Sequence, residues 1–505
     1  MAQGKSRGIC VVAIGDVSMN FDALLQQVRA GGMDIAVDSR RVGPGDVFVA
    51  VPGASADGAQ YIPAAVRAGA AVVVCGACCA ESGAAQAAGV TVVTHADPRE
   101  ALWRLAQARY RTDAMRLRVV GITGTNGKTT SAYLLEHLFT RMGRKVGVLG
   151  TVSYRWPGHV EAAPLTTPDS LHIHSMLARM EAAGVDIAVL EVSSHALDQQ
   201  RVGGIAFAGA IFTNLTQDHL DYHPDMDGYF TAKSRLFLEL PRADKASAIN
   251  ADDPWGRRLL EKCPSALSFG LHEAPARDAA RHIQGRVLSM STAGLHLAMQ
   301  WGESRWELRS PLVGAFNASN LMAVQAVALG MGASPADMRH LEDFFGVPGR
   351  LERIANAQGL DVFVDYAHTP DALVNVLEAL RGAGFQRIVT VFGCGGNRDR
   401  TKRPRMGAAV ASLSDVAVLT SDNPRNEDPV DIINDVLPGL HSGARQVEIV
   451  VEPSRREATR MALAMLRPGD ALCIAGKGHE DYQIIQGVKH PYSDQQTVRE
   501  LLQCA

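Results

Sequence analysis

The sequence predicts an α/β protein with three domains in series. The chain has 505 residues, and a length of about 150 residues per domain suggests roughly three domains. Short apolar runs alternate with helix-like stretches in three successive regions, and such runs between helices are typical of buried parallel strands. We therefore expect domains over residues 1–98, 99–345 and 346–505.

Each domain is predicted from its own set of apolar runs. The first carries "DVFVAVPG", "AAVVVCG" and "VTVVTHAD" and ends near Asp97-Pro98. The second carries "RVVGIT", "KVGVLGTV", "DIAVLEVSS" and "AGAIFTNLT", then an antiparallel stretch "GLHLAMQWGESRWELRS" and the helix-like "NASNLMAVQAVALGMG". A Gly/Pro-containing linker "FGVPGRLE" leads to the third, with "DVFVDYAHTPDALVNVLEAL", "RIVTVFGCGGNRDR", "DVAVLTSDNPR" and "ALCIAGKGHE".

The composition argues against several classes of protein. The chain is 47% apolar and 20% charged with a net charge of −3. It has no basic stripe, so we expect no nucleic-acid partner. The apolar run near the amino terminus is too short for a signal peptide or a membrane span.

The eight cysteines do not predict a metal site. Cys75, Cys78 and Cys79 lie in "CGACC", but no second cysteine pair follows to complete a zinc site. The pattern is typical of thiols in a reducing compartment, so we expect a cytoplasmic protein.

The stretch "LRVVGITGTNGKTT" predicts a phosphate-binding loop with an unusual spacing. The usual pattern places a glycine where Ile122 stands. The loop needs backbone N–H groups, a lysine, a hydroxyl for magnesium and a helix whose amino end faces the phosphate. None of these requirements depends on residue 122, and the amphipathic stretch that follows predicts a helix ending at Gly143. We predict that ATP or GTP binds Gly124, Thr125, Asn126, Gly127, Lys128, Thr129 and Thr130.

Two further strands end in side chains that suit a magnesium site. Glu191 ends the run "AVLE", and His219 follows "AIFTN". Carboxyl ends of parallel strands share one edge of a sheet, where ligands bind. Because Mg²⁺ prefers oxygen ligands, His219 is the less usual of the two. The alternative is that Asp218, His219, Asp221 and His223 form a solvated polar loop.

Taken in order, several motifs resemble those of the Mur ligases, the ATP-dependent amide-forming enzymes of peptidoglycan precursor synthesis. They are "GTNGKTT", "EVSSHALDQQR", "TNLTQDHLDYH", "YFTAKSRLF", "GAFNASN", "DYAHTP" and "SDNPR". The resemblance runs from "DSRRVGPGDVFVAVPG" to "GKGHEDYQ". It implies a three-domain architecture, with a UDP-sugar domain, a central phosphate-loop ATPase domain with a parallel sheet, and a carboxy-terminal Rossmann-like domain.

The resemblance also implies the reaction and the residues around ATP. ATP would phosphorylate a carboxylate, and an amine would attack the acyl phosphate. Lys128 and Thr129 would hold the phosphates and Mg²⁺, with Glu191 and His219 nearby. Lys233 matches the lysine that the family carbamylates, which would make it an oxygen ligand for a second Mg²⁺. The remaining ATP contacts implied are Asn317, Asn320, Arg350, Asp365 and His368.

For the sugar-nucleotide substrate, UDP-N-acetylmuramoyl-L-Ala-D-Glu, the resemblance points to two groups of residues. Ser39 and residues 54–56 match uridine-binding segments. The contacts to the muramoyl-dipeptide match Thr166, Thr167, Ser193, Gln199 and Arg201. The chain departs from the pattern at Leu165, where relatives can carry an asparagine.

The stretch "TSDNPRNEDP" concerns the amino acid that is added. meso-Diaminopimelate carries a second carboxylate that L-lysine lacks, and a planar arginine fork can bind it with two hydrogen bonds. Relatives with "DNPR" use diaminopimelate. The residues implied for it are Arg398, Asp422, Asn423, Pro424, Arg425, Gly476 and Glu480. Outside the family, the same stretch would be a capped turn with a solvated arginine.

Several alternatives remain open at this point. The chain could add L-lysine or D-alanyl-D-alanine, act as a folylpolyglutamate synthase, or be a nucleotide-gated switch without ligase chemistry. A dinucleotide site at "FGCGGNRDR" is rejected, since it lacks the Gly-x-Gly-x-x-Gly order. We expect a monomer whose partners are its small-molecule substrates.

Overall fold

The computed structural model describes residues 19–53, 57–77, 90–220, 222–240, 246–272, 279–442 and 446–503. The chain divides into two compact units. The first comprises Met1–Lys128, Gly143–Ile249 and Asp253–Ala266, and the second comprises Thr129–Met142, Asn250–Asp252 and Leu267–Ala505. Both units contain sheets with parallel strands, which confirms the predicted α/β class.

Most helices begin at the capping residues that their sequences supply. Asp97, Asp169 and Thr369 each accept a hydrogen bond from a backbone N–H of the first turn, which satisfies donors that have no partner inside the helix. The helices of the described residues are α1 (Phe21–Arg29), α2 (Ile62–Arg67), α3 (Pro98–Tyr110), α4 (Lys128–Arg141), α5 (Ser170–Ala182), α6 (Ser194–Asp198), α7 (Met226–Leu238), α8 (Pro254–Lys262), α9 (Ala315–Gly330), α10 (Pro370–Gly382), α11 (Lys402–Leu413), α12 (Pro429–His441), α13 (Arg455–Ala464) and α14 (Asp494–Gln503).

The amino-terminal part of the first unit is a four-stranded parallel sheet in the order β1-β2-β3-β4. Its strands are β1 (Ile35–Ala36), β2 (Val47–Val49), β3 (Val72–Cys75) and β4 (Thr91–Thr94). Helices α1 and α3 supply Phe21, Leu24 and Leu105 to one apolar cluster, and α2 supplies Ile62 and Ala65 to another. The three apolar runs predicted as strands are therefore strands buried between helices.

The rest of the first unit is built on strands in the order β8-β7-β6-β9-β5-β10-β11. They are β5 (Arg118–Thr123), β6 (Val146–Leu149), β7 (Ser153–Trp156), β8 (His159–Ala162), β9 (Ile187–Glu191), β10 (Phe207–Phe212) and β11 (Ser247–Asn250). Strands β6, β9, β5, β10 and β11 are parallel. Their carboxyl ends therefore place the segments after β5, β9 and β10 at one edge, as predicted.

The second unit contains a mixed group of strands, β12 (Leu267–Gly270), β13 (His282–Ser291), β14 (Gly294–Trp301) and β15 (Ser304–Ser310). Strand β14 is antiparallel to both β13 and β15, which confirms the antiparallel stretch that the sequence predicts. The apolar helix α9 follows, with Leu321, Val324 and Val327 fully buried.

The carboxy-terminal part of the second unit is a six-stranded sheet in the order β16-β17-β21-β18-β19-β20. Its strands are β16 (Glu352–Arg353), β17 (Asp361–Asp365), β18 (Ile388–Phe392), β19 (Val416–Leu419), β20 (Glu448–Val451) and β21 (Ala471–Ala475). All pairs except β16-β17 are parallel. A hairpin of β22 (Tyr482–Ile485) and β23 (Val488–Pro491) follows β21.

Helices cover this sheet on both faces. Leu377 of α10, Val410 of α11 and Val436 of α12 join one apolar cluster, and Ala458 of α13 and Val498 of α14 join the other. A fully buried ion pair links the last two helices, since Arg455 donates two hydrogen bonds to Asp494, at 2.8 and 2.7 Å, and neither side chain is exposed.

A buried histidine ties α5 to the segments around it in the first unit. The Nδ1 atom of His174 lies 2.5 Å from Thr112 Oγ1, and its Nε2 atom lies 3.1 Å from the Gly203 carbonyl. Burial lowers the pKa of His174 from 6.5 to about 4. The side chain is fully buried, so the folded protein holds it neutral near pH 7.

Helix α4 ends at Arg141, two residues before Gly143, where the sequence predicted its end. No helix within the described ranges has the length and apolar character needed to cross a bilayer.

Candidate functional site

The phosphate-binding loop lies between β5 and α4, as predicted. Gly124 has a φ of +150°, and a Cβ atom there would overlap Thr213 Oγ1, so this position requires glycine. Ile122, which replaces the glycine of the usual pattern, is fully buried within β5. The unusual spacing follows because residue 122 is a strand residue, and the tight turn begins two residues later.

The end of β10 holds the loop in place. The backbone N–H of Thr125 donates to the Asn214 carbonyl at 2.9 Å, and that of Asn126 donates to Asn214 Oδ1 at 2.9 Å. Thr213 Oγ1 donates to the Asn126 carbonyl at 2.6 Å. Lys128 turns back over the loop, where its Nζ atom donates to the carbonyls of Gly124 and Thr125, both at 2.8 Å. These hydrogen bonds hold the loop against the end of β10.

Lys233 projects from α7 onto the same loop. Its side chain is almost fully buried, its Nζ atom donates to the Gly124 carbonyl at 2.9 Å, and that nitrogen lies 4.6 Å from the centre of the Tyr229 ring. Burial, and then the charge of Lys128, hold the pKa of Lys233 well below its usual value. Burial of this kind favours the neutral, more reactive form of an amine.

Glu191 ends β9 with its carboxylate buried and oriented. The backbone N–H of Thr151 donates to Oε1 at 3.0 Å, and the Thr151 hydroxyl donates to Oε2 at 2.9 Å. His219 differs, since its side chain is 43% exposed and its Nε2 atom lies 3.5 Å from Asp218 Oδ2. Its ring centre lies 4.9 Å from that of His195.

Of the residues predicted for magnesium, Thr129 and Glu191 carry oxygen atoms that suit the ion, whereas His219 offers a ring nitrogen and Lys233 would offer oxygen only as a carbamate. Across the described residues, no three His, Cys, Asp or Glu side chains gather where they could hold a metal ion. Mg²⁺ commonly binds through one or two carboxylates plus substrate phosphates and water. The buried Glu191 carboxylate fits such a partial set.

The residues predicted for the muramoyl-dipeptide form one hydrogen-bonded network beside Glu191. Thr167 Oγ1 donates to the Glu191 carbonyl at 2.8 Å and accepts from the Ser193 N–H at 3.0 Å. Arg201 donates to the Thr167 carbonyl at 2.7 Å and to Gln199 Oε1 at 2.8 Å. Thr166 Oγ1 lies 3.1 Å from Thr151 Oγ1, and Thr151 binds Glu191. The structure thus brings all five predicted residues together.

Two other parts of that prediction stand apart from the network. Leu165 is 51% exposed, and its carbonyl accepts from the Tyr154 hydroxyl at 2.5 Å. Ser39 begins a 3₁₀ turn capped by Asp38. Residues 54–56 lie outside the described residues, as do Cys78, Cys79 and Asp221.

In the second unit, the residues predicted to reach ATP are mostly buried, and they form hydrogen bonds with other residues of the same unit. Asn317 Nδ2 donates to the Val313 carbonyl at 2.8 Å, and Asn320 Nδ2 donates to Asn317 Oδ1 at 3.2 Å. Asp365 accepts from the N–H groups of Leu351 and Ala367, at 2.6 and 2.7 Å. Burial raises the pKa of that carboxyl.

Arg350 and His368 flank the ring of Tyr366. The guanidinium carbon of Arg350 lies 4.8 Å from the ring centre, and the centre of the His368 ring lies 4.7 Å from it. His368 Nδ1 is 2.8 Å from the Tyr366 carbonyl. These two predicted residues are therefore arranged around an aromatic residue that the sequence analysis did not single out.

The residues predicted for diaminopimelate gather at the ends of β19 and β21. Asn423 Nδ2 donates to Glu480 Oε2 at 2.9 Å. Arg425 Nη1 donates to the Gly396 carbonyl at 2.7 Å, and Arg425 has a φ of +54°. A left-handed backbone at a non-glycine residue is uncommon and is over-represented at binding sites. Arg398, in contrast, lies on an exposed part of the neighbouring loop.

Gly476 and Pro424 complete this group. A Cβ atom on Gly476, where φ is +118°, would lie 3.9 Å from Asp422 Oδ1, so Gly476 borders the Asp422 carboxylate. The Pro424 carbonyl accepts from the Glu427 N–H at 3.0 Å, which closes the turn that carries Arg425.

Sequence reasoning missed residues that orient the predicted ones. Thr151 orients Glu191, Asn214 supports the phosphate loop, Tyr229 covers Lys233, and Lys477 lies between Asp422 and Glu480. Tyr229 and Lys477 lie inside the quoted motifs "YFTAKSRLF" and "GKGHE". Their presence in those motifs was the available signal. Asn214 likewise lies inside the quoted motif "TNLTQDHLDYH", whereas Thr151 lies in none of the quoted family motifs and its role depends on strand pairing.

Comparison with known families covers nearly the whole chain. Residues 34–110 match the Mur ligase family catalytic domain, residues 122–328 the Mur ligase middle domain, and residues 349–478 the Mur ligase glutamate ligase domain.

Individual relatives agree with these matches. The UDP-N-acetylmuramoyl-L-alanyl-D-glutamate–2,6-diaminopimelate ligase of Lawsonia intracellularis is 53% identical over 483 residues, which is 95% of this chain and 98% of the relative. A solved structure of a ligase with that name is 32% identical, with a TM-score of 0.68 over 93% of this chain and 94% of the other. The MurF ligase of Thermotoga maritima in complex with ADP shares the fold at 18% identity, with a TM-score of 0.57 over 94% and 97% of the two chains.

Proposed function

The chain belongs to the Mur ligase family, and from that premise we propose that it joins meso-diaminopimelate to UDP-N-acetylmuramoyl-L-Ala-D-Glu. Members of this family are ATP-dependent, ADP-forming ligases with a three-domain α/β architecture. Relatives that are 41–53% identical over most of the chain carry the name of the diaminopimelate-adding ligase. The proposed product is an amide at the γ-carboxylate of the D-glutamyl residue, made for peptidoglycan precursor synthesis.

The proposed chemistry has two steps. An oxygen of the γ-carboxylate attacks the γ-phosphorus of ATP, and the bond from that phosphorus to the ADP oxygen breaks. The amine of diaminopimelate then attacks the carbonyl carbon of the acyl phosphate, the C–O bond to phosphate breaks, and the nitrogen loses a proton. Phosphoryl transfer depends mainly on positioning and charge neutralisation.

The first unit offers residues for the phosphoryl step. Lys128 is held on the loop by two carbonyls and would exchange these for phosphate oxygens. The network of Thr166, Thr167, Ser193, Gln199 and Arg201 adjoins Glu191, which supports a muramoyl-dipeptide site beside the phosphate loop. Arg201 is half-buried and suited to a carboxylate.

Magnesium would be held by Thr129, Glu191, His219 and Lys233, the last as a carbamate. Bound there, it would neutralise charge on the phosphates. The chemistry of the donor set supports this assignment, since a hydroxyl, a carboxylate and a carbamate all present oxygen atoms. For Lys233 itself, the support is its buried, low-pKa amine.

The observation that carries the choice of diaminopimelate is the pocket around Arg425. Arg425 and Asp422 both border Gly395, since a Cβ atom there would lie 2.9 Å from Arg425 Nη1 and 3.7 Å from Asp422 Oδ2. Asn423 and Glu480 are hydrogen-bonded beside them. A guanidinium beside carboxylates is complementary to a substrate end that carries both a carboxylate and an ammonium.

Substrate-dependent ATP consumption tests the proposal directly. We would mix the protein with ATP, Mg²⁺ and UDP-N-acetylmuramoyl-L-Ala-D-Glu and add either meso-diaminopimelate or L-lysine. ADP, phosphate and a tripeptide product should appear with diaminopimelate. Turnover with L-lysine alone would keep the ligase and overturn the amino-acid assignment. ATP hydrolysis indifferent to both substrates would favour a nucleotide-gated switch.

Three further proposals accompany this function. We propose domain bounds of 1–98, 99–345 and 346–505, which the separate family matches support. We also propose that Asn317, Asn320, Arg350, Asp365 and His368 contribute to the ATP site. A monomer acting in the cytoplasm is proposed as well, and the buried thiols of Cys394 and Cys473 suit a reducing compartment.

A further inference from the structure

A buried lysine that the proposed mechanism does not use lies inside the pocket proposed for diaminopimelate. Lys477 follows β21 and has no exposed side-chain surface. Its Nζ atom lies 3.2 Å from Asn423 Oδ1, 3.2 Å from Glu480 Oε2 and 3.4 Å from Asp422 Oδ1. A lysine ammonium has three N–H donors and no acceptor, so these three oxygens match its hydrogen-bonding capacity.

Two of the three acceptors of Lys477 also bind each other. Asn423 Nδ2 donates to the same Glu480 oxygen that Lys477 binds. Asn423 Oδ1 accepts from both Lys477 and the N–H of Ile484, the latter at 2.9 Å. The ammonium therefore contributes, together with the Ile484 N–H, to fixing which way the Asn423 amide faces, and it binds one of the two Glu480 oxygens.

Lys477 lies between two acids. Asp422 and Glu480 present two carboxylates whose side chains are only 11% and 18% exposed. Lys477 contacts both of them, and the Arg455 guanidinium also faces Asp422, since a Cβ atom on Gly476 would lie 3.9 Å from Arg455 Nη1 and 3.9 Å from Asp422 Oδ1. Removing Lys477 would take away the cation that bridges Asp422 and Glu480.

We propose that Lys477 is a positioning residue that sets the orientation of Asp422, Asn423 and Glu480 for the incoming amino acid. This inference rests on the proposed function, because it assigns the pocket to diaminopimelate. Lys477 is buried and acts through its three partners, and it leaves Glu480 Oε1 for the ammonium of the substrate.

The proposal predicts an effect on the KM for diaminopimelate and not on the KM for the other two substrates. Replacing the ammonium should let Glu480 and Asn423 reorient, so the KM for diaminopimelate should rise. Truncating one partner of a buried, hydrogen-bonded charge pair commonly weakens binding by roughly tenfold or more. The KM for ATP should stay within about twofold, because no described contact joins Lys477 to the phosphate loop.

The experiment compares the wild-type protein with Lys477→Met, which keeps the length of the stem, and Lys477→Gln, which keeps a polar group. Lys489→Met is the matched control, since Lys489 is exposed on the neighbouring hairpin, 4.1 Å from the Tyr482 ring centre. We would measure KM for each of the three substrates, kcat and the unfolding temperature. A selective rise in the KM for diaminopimelate in both variants, with little change in the control, is expected.

Each other outcome has a distinct meaning. Equal rises in all three KM values, or no rise in a folded variant, would overturn the role of Lys477. If Lys477→Met does not fold, Lys477→Gln decides the matter by the same comparison. If the wild-type protein shows no turnover with diaminopimelate, the proposed function fails first, and that result is separate from a failure of the variants.

Discussion

Lys128 and Lys233 donate hydrogen bonds to the same backbone oxygen, the carbonyl of Gly124, at 2.8 and 2.9 Å. Two amines that share one acceptor are close enough for their charges to oppose each other. Because Lys233 is the buried one, it is Lys233 whose pKa falls well below the usual value. The lowered pKa favours the neutral amine, which is the form that can attack CO₂ and lose a proton to give a carbamate.

The first prediction follows from that neutral amine. Protein prepared and assayed without dissolved CO₂ should lose activity, and bicarbonate should restore it. Lys233→Ala should lower kcat by roughly a hundredfold or more and should abolish the response to bicarbonate. Lys262→Ala, at an exposed helix position, is the control. Full activity without CO₂ would argue against a carbamate at Lys233.

The second prediction concerns the phosphate loop. Lys128→Ala should reduce ATP-dependent turnover by roughly a hundred- to a thousandfold, since it removes the cation that the loop holds ready for developing charge. The control is Lys145→Ala, because Lys145 is exposed. Initial-rate measurements of ADP release would check this. Near-normal turnover by the Lys128 variant would contradict the nucleotide assignment.

The third prediction separates the two small-molecule sites. Arg425→Ala should raise the KM for diaminopimelate far more than the KM for ATP, by roughly tenfold or more, because a charged hydrogen-bond partner is lost. Arg405→Ala, exposed on α11, should change neither value. Parallel titrations of both substrates give the comparison. Equal effects on the two KM values would remove Arg425 from the choice of amino acid.

The fourth prediction is a pH dependence of stability. Burial keeps His174 neutral down to about pH 4, whereas the unfolded chain protonates it near its ordinary value of 6.5. The unfolded state therefore binds more protons between these values, and the stability that His174 contributes above pH 6.5 is lost as the pH falls towards 4. The full effect is roughly 3 kcal/mol.

Thermal unfolding of the wild-type protein and of His174→Gln checks this. The partners that the structure gives His174 are the Thr112 hydroxyl and the Gly203 carbonyl, neither of which titrates in this range. The unfolding temperature of the wild-type protein should fall more steeply from pH 7 to pH 5 than that of the variant. Parallel curves would show that His174 does not control acid stability.

The sequence predicted the strands and the loop well because these depend on local pattern. The run "RVVGIT" is buried and leads directly into Gly124. The apolar run was therefore enough to predict the strand, and the glycines after it were enough to predict the loop. The five residues assigned to the muramoyl-dipeptide also form one network. Their grouping follows from the shared edge of parallel strands.

What the sequence could not supply is the identity of the groups that orient these side chains. Thr151 binds Glu191 across 40 positions of sequence, and Asn214 supports Asn126 across 88. Such partners are fixed by strand order and register, which a single sequence does not reveal. Lys477 was overlooked for another reason, because a lysine in a loop is normally exposed.

The buried pair of Arg455 and Asp494 has a consequence for the genetics of this protein. Asp494 opens the last helix, and a stop codon just before it would leave most of the polypeptide intact. Such a truncation would nevertheless leave the Arg455 guanidinium buried without its carboxylate partner, which would lower the stability of the protein by about 3–5 kcal/mol. We therefore expect a nonsense mutation just before Asp494 to behave as a loss-of-function allele.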